Sequence, residues 1–232
     1  MKAIKILVSG HWAHFKKPET NNNPLSHDFI TKTALIGMMG AVLGIERNEM
    51  KELFPKFCKN ILYNVRLMNE VKKESWGFTL RKSVNEVSEK APKYMEFLKE
   101  PNYEVIVSLK GIESQKYFLD FIVFLKQNKA IFTPVLGLHN CPANIELIEE
   151  IDLSEKENDF FETFYFVSKK HSLRFDKESI SFGFDRIPTF QNNDFWNLPD
   201  KYVEVVYPSN GKSITVTGDY YKSSAGDKLW LI

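Results

Sequence analysis

The chain has 232 residues, of which 43% are hydrophobic and 26% charged, an ordinary globular composition with room for one large domain or two small ones. Its formal net charge of +1 excludes a global basic field, so any nucleic-acid contact has to rest on local clusters. Cys58 and Cys141 stand far apart without metal-ligand spacing, and the N-terminus enters a strand pattern with no signal peptide, so a reduced, cytoplasmic protein is expected.

Ile4, Ile6 and Val8 alternate in the opening segment and predict a strand that Gly10 ends. The loop from His11 to Asp28 carries Trp12, His14, Phe15, Lys16 and Lys17, and its prolines and asparagines hold it out of regular structure. Thr31 to Ile45 follows as a helix, with Leu35, Met38, Met39 and Val42 at helical spacing. Ala34, Gly37, Ala41 and Gly44 form an adjoining stripe, with Gly40 beside it. Each glycine costs a helix about 1 kcal/mol relative to alanine, so the stripe predicts close approach of another backbone. The apolar run is too short for a membrane span, which needs about 20 residues.

Ile61, Tyr63, Val65 and Leu67 predict a second strand. Residues 70–100 interrupt the pattern, and Trp76 to Lys82 read as half of an exposed hairpin. Val105, Val107 and Leu109 predict a third strand. Ser114 is placed as the N-cap of a second helix whose apolar face is Tyr117, Phe118, Phe121, Ile122 and Leu125. Ile131, Thr133 and Val135 predict a short strand, Gly137 to Pro142 a turn, and Ile145, Leu147 and Ile151 a further alternating segment. Strand, helix, strand, strand, helix, strand is the split βαβ pattern, so the fold class is α+β, ferredoxin-like and RRM-like.

The acidic, polar segment Leu153 to Asp159 is expected to divide a domain at 1–153 from a β-rich region at 154–232. In that region Thr163 to Val167, Ser179 to Phe184, Tyr202 to Tyr207 and Ser213 to Thr217 are the best strands, with Asn210-Gly211 a hairpin turn between the last two.

No metal or other cofactor is expected. The histidines are scattered, the cysteines unpaired, and no phosphate-cradling loop, dinucleotide fingerprint or Gly-x-Ser-x-Gly elbow occurs. Local basic clusters are Lys16-Lys17, Lys72-Lys73, Arg81-Lys82 and Lys169-Lys170 with His171 and Arg174. Trp12, Phe15, Trp76, Phe78 and Phe175 accompany them. Cations for phosphates and rings for unpaired bases suit single-stranded RNA, while lysine pairs on solvated faces are the plain alternative.

Phe15-Lys16-Lys17-Pro18, the run Thr33 to Gly44, Glu96-Phe97-Leu98 with Pro101 and Tyr103, Thr133 to Gly137 and Cys141 to Ile145 occur in this order. Together they resemble a CRISPR-associated RAMP family, the fifth-numbered Cas family, and most of all its type I-B members. The resemblance covers residues 3–151. It implies a noncatalytic Cascade subunit that caps the 5′ handle of crRNA, with residues 70–100 as a thumb. It implies the Cascade backbone, large and repeat-processing subunits as partners, target DNA met only indirectly, and no membrane. The RNA contacts it implies are His14, Phe15, Lys16, Lys17, Lys32, Arg81, Lys82, Gly137, His139 and Asn140. A rival reading remains open: a metal-independent endoribonuclease acting on repeat RNA, with His14, Lys16 and a tyrosine as its groups.

Overall fold

The computed structural model describes residues 1–81, 90–174, 181–192, 198–209 and 212–232. Its central strand is β1 (Lys2–Ser9), which buries Ile4, Ile6 and Val8 on one face and Ala3 and Lys5 on the other. A sheet covered on both faces needs a layer on each side, and the chain supplies them from opposite ends.

After the short β2 (Trp12–Ala13) and a long loop come α1 (Lys32–Leu43), α2 (Arg47–Asn60) and β3 (Ile61–Leu67). A hairpin of β4 (Lys72–Arg81) and β5 (Lys90–Lys99) precedes β6 (Asn102–Leu109), α3 (Gln115–Lys126) and β7 (Asn144–Thr163). The tail adds β8 (Val167–Ser168), β9 (Ser172–Arg174), β10 (Phe182–Phe190), β11 (Lys201–Pro208), β12 (Ile214–Ser223) and β13 (Lys228–Leu229). The antiparallel order β7-β1-β6-β3 is that of a split βαβ unit. β12 extends this sheet beyond β7 and carries β13 and β9, while β10-β11-β8 and β2-β5-β4 form two smaller sheets. Three antiparallel sheets with helices make an α+β protein.

The helices pack on the face of Ile4, Ile6 and Val8, where Leu35, Met39, Phe57, Tyr63, Val105 and Phe121 share one core. The opposite face holds a second core of Ala3, Ile106, Ile151, Leu153, Tyr165, Leu229 and Leu231. Residues from the tail thus cover the face that an RRM leaves open for RNA. Lys5 on that face is paired with Glu149 at 2.9 Å and Asp227 at 2.8 Å. The edge of β3 is closed as well, because Tyr63 and Ile232 exchange backbone hydrogen bonds of 3.0 and 3.3 Å. The buried Asn64 amide donates to the carbonyls of Phe166, at 2.9 Å, and Trp230.

Several expectations need correction. The helix α2 was not expected: Met50, Phe54, Phe57 and Cys58 form its buried face, but Pro55 interrupts the pattern. Ile131 to Val135 is no strand. The N–H groups of Ile131 and Phe132 instead satisfy the Val42 and Ala41 carbonyls at the end of α1, at 3.1 and 2.9 Å. Leu153 to Asp159 lies inside β7, held there by pairing with β12. Thr163 to Val167 is split between the end of β7 and the start of β8, and β10 begins only at Phe182, so Ser179 to Phe184 falls partly outside the described residues. β11 and β12 belong to different sheets, so no hairpin joins them, and Asn210-Gly211 lies outside the described residues. Ser114 stands at the N-cap of α3 without a side-chain capping bond.

The glycine stripe of α1 also divides. A Cβ on Gly40 would meet Met50 Sδ at 2.9 Å, and one on Gly44 would meet Ile131 at 2.7 Å. Gly37, however, faces open space, with nothing within 4 Å of such a Cβ.

Candidate nucleic-acid interface

Three segments far apart in sequence meet beside the N-terminal half of α1. They are the loop after β2, the turn at 135–140 and the root of the β4–β5 hairpin. The His14 N–H donates to the Leu136 carbonyl at 3.0 Å, which ties loop to turn. The Glu96 N–H donates to the Pro24 carbonyl at 3.0 Å, and Glu96 Oε1 accepts from the Ser26 N–H at 3.0 Å, which ties loop to hairpin. Edge-on contact of Trp12 with Trp76 at 4.5 Å, and tilted contact of Trp76 with Phe97 at 4.9 Å, fix the hairpin root.

A groove of about 510 Å³ runs between these segments, with His14, Phe15, Lys16, Thr31, Thr33 and Gly37 among its lining residues. A second hollow of about 300 Å³ adjoins it, lined by Asn21, Asn22, Phe78, Lys93, Phe97, His139 and Asn140. Met95 and Leu138 are common to both. Small residues at the α1 wall, Ala34 and Gly37, keep the groove open. The Thr31 Oγ caps α1 there by accepting from the Ala34 N–H at 3.3 Å.

Charge in this region is largely spoken for. Lys17 pairs with Asp185 at 3.3 Å, and Asp185 also takes the His27 Nδ1 at 2.9 Å. Burial alone would push the Asp185 carboxyl up, but the His27 hydrogen bond and the charges of His27 and Lys17 outweigh it and hold the carboxyl below its ordinary value. Lys73 is paired with Asp28 at 2.7 Å and Glu96 at 3.1 Å. Among the described residues Lys16 and Lys93 reach only amide oxygens, those of Asn21, at 3.4 Å, and Asn22. Neither of these two lysines is paired with a carboxylate among the described residues.

Of the residues expected at an RNA site, Lys16, Gly137, His139 and Asn140 are exposed around the grooves. Phe15 lines the groove but is a core residue, only 3% exposed. His14 is 2% exposed, and its Nδ1 donates to the Glu96 carbonyl at 2.7 Å. Burial favours its neutral form and lowers its pKa, only partly opposed by that carbonyl. Lys32 lies apart, buried at the start of α1, where burial and the Lys110 charge bring its pKa to about 8. Arg81 ends β4, with only its backbone described, and Lys82 lies outside the described residues. Sequence reasoning missed Lys93, Met95, Thr31, Pro188 and Pro199. Among the described residues no group of three or more His, Cys, Asp or Glu could hold a metal ion, and no helix is long and apolar enough to cross a membrane.

Residues 3–179 match the family model described as CRISPR-associated protein (Cas_Cas5). The chain belongs to the Cas5 family. No curated protein matches it. Among solved structures, this Cas5 chain shares its fold with a CRISPR protein from Archaeoglobus fulgidus, at 13% identity and a TM-score of 0.59, covering 99% of this chain and 98% of that one. It also resembles a chain of a CRISPR RNA-guided surveillance complex, at 12% identity and a TM-score of 0.52, covering 92% and 91%. A chain of a type III-B Cmr-beta complex bound to cognate target RNA aligns at 10% identity and a TM-score of 0.51, covering 92% and 86%. Identities this low establish the fold alone.

Proposed function

We propose that this Cas5 chain is a noncatalytic subunit of a type I Cascade complex that binds and caps the 5′ handle of crRNA. The observation that carries the reading is the groove beside α1, where Lys16, the open face at Gly37, the 137–140 turn and the hairpin root converge in a Cas5 chain. Lys16 and Lys93 would hold phosphates, and the amides of Asn21, Asn140 and the turn backbone would meet base edges. The β4–β5 hairpin would act as the thumb, which Arg81 and Lys82 would serve. The stretches Thr133 to Gly137 and Cys141 to Ile145 favour a type I-B member. On this reading residues 1–153 supply most of the RNA grip, 154–232 brace the sheet and add Pro188 and Pro199 to the groove wall, and the chain meets the Cascade backbone, large and repeat-processing subunits, with target DNA contacted only indirectly.

His14 supports the noncatalytic reading over a nuclease, since a general base needs access to a 2′-hydroxyl and this imidazole is enclosed. A tagged pull-down from the native host, with sequencing of co-purifying RNA, tests the proposal. RNAs sharing one constant 5′ end, together with larger Cas subunits, are expected. Recovery of the chain without RNA would sink the reading. Metal-independent cleavage of repeat RNA by the purified chain would replace it with the endoribonuclease.

A further inference from the structure

The groove does not end at its proline wall. Pro188 and Pro199 line one side of it, and two residues beyond each stand Phe190 and Lys201, which face one another across β10 and β11. Lys201 and, from the last turn of α2, Lys59 approach the Phe190 ring to 5.4 and 5.9 Å from its centroid. Lys56 lies one turn earlier on α2, and Lys110 is held against the helix end by donating its backbone N–H to the Asn60 carbonyl at 2.7 Å. Lys32 is buried close by, within reach of the Lys110 charge.

None of these five lysines forms an ion pair among the described residues. Lys2, Lys5, Lys17, Lys73, Lys99, Lys126 and Lys169 all do. Two nearby carboxylates, those of Asp200 and Glu113, accept hydrogen bonds from amides and are not ion-paired with these lysines among the described residues. Asp200 accepts from the Asn192 N–H and amide at 2.9 and 3.1 Å, and Glu113 accepts from the Asn60 amide at 3.2 Å. In a chain of net charge +1, an unpaired cluster of like charges raises the local potential and asks for an external polyanion. An aromatic ring between cations is the composition that holds single strands by stacking and phosphate contact.

We propose that this cluster is a second segment of the RNA path. A strand leaving the groove past Pro188 and Pro199 runs its phosphates over Lys59, Lys201, Lys56 and Lys110 and stacks a base on Phe190. The inference rests on the groove being the RNA site, and it extends that site to the far side of α1 and α2.

The test is anisotropy titration of the full chain with labelled oligouridylates of increasing length, at several salt concentrations. Affinity is expected to rise in two steps, the first as the groove fills and the second as the strand reaches Phe190. The Lys59→Glu/Lys201→Glu double variant should lose the second step, about tenfold in Kd, and its salt slope should shrink by about 1.4, at about 0.7 per phosphate contact. Phe190→Ala should weaken the second step while leaving the first. Lys16→Glu should remove the first step and so reports on the groove independently. Binding by the unaltered chain with no second step, or a second step that survives the double reversal, overturns the extension and leaves the groove reading intact. Absence of binding at every length overturns both.

Discussion

A Cβ on Gly137 would stand 2.0 Å from the His14 carbonyl oxygen, at a φ of +91° that side-chain-bearing residues rarely adopt. The 135–140 turn can close on the loop only because this position has no side chain. Gly137→Ala should therefore cost about 2–3 kcal/mol, from a strained dihedral and a displaced loop. The urea midpoint measures the loss, and RNA retention should fall with it. An unchanged midpoint would mean that turn and loop do not meet.

Gly37 behaves in the opposite way. Its open surroundings remove the packing reason for a glycine, so Gly37→Ala should stabilise α1 by up to about 1 kcal/mol through helix propensity alone. Gly37→Leu should fold with a near-normal midpoint yet weaken RNA binding by filling the groove. A Gly37→Leu protein that unfolds early would restore the backbone-contact explanation. One that binds RNA normally would remove α1 from the interface.

Elements set by local period were legible in the sequence, and those set by distant partners were not. Ile4, Ile6 and Val8 announced β1, and the apolar faces of α1 and α3 stood out, because spacing alone decides which side is buried. The length of β7 depends on β12, whose pairing partners lie dozens of positions away, so Leu153 to Asp159 read as a polar boundary. Lys5 looks like a solvated strand residue until Asp227 and Glu149 are beside it. Spacing puts Gly37 on the small-residue stripe and Gly40 beside it, yet it is Gly40 that Met50 crowds and Gly37 that stands open. The site shows the same split. Lys16 and the 137–140 turn stood out by resemblance, whereas Lys93 reaches the adjoining hollow, and Pro188 and Pro199 the groove, only through the packing of distant segments.

The two loop lysines should separate in function. Lys17 is engaged with the nearly buried Asp185, so Lys17→Glu places a second carboxylate there and should cost about 1–3 kcal/mol of stability. Lys16 is exposed and, among the described residues, its side chain holds only Asn21. Lys16→Glu should leave the midpoint unchanged, lower RNA affinity, and make its dependence on log salt shallower by about 0.7 for each phosphate contact removed. Equal effects of the two reversals on RNA at equal stability would refute the assignment.

His14 gives a pH signature. Burial lowers its folded-state pKa, so below about 6.5 the unfolded chain takes up a proton that the folded chain refuses. The stability contributed by the neutral imidazole is fully present above about 6.5. It is lost as pH falls from there through the folded pKa. Urea unfolding at a series of pH values should show this decline, and His14→Gln, which keeps an amide donor for the Glu96 carbonyl, should flatten it. A slope unaltered in the variant would assign the decline to another group.

Asn64 is where the tail is fastened to the ferredoxin-like sheet. Its amide serves the Phe166 and Trp230 carbonyls, and its Oδ1 accepts from the Val65 N–H at 2.6 Å. Replacing it with leucine would leave three buried backbone groups without their partner, at about 1–3 kcal/mol for each group that finds no other. Because Leu229 and Leu231 cover the second face of the sheet through this attachment, the damage should spread along the tail. Asn64→Leu is expected to lower the urea midpoint and to speed amide exchange at Tyr63 and Ile232 before the strands β1 and β6 respond. Uniform acceleration across the sheet would instead make tail and sheet a single cooperative unit, with no separate release of the tail.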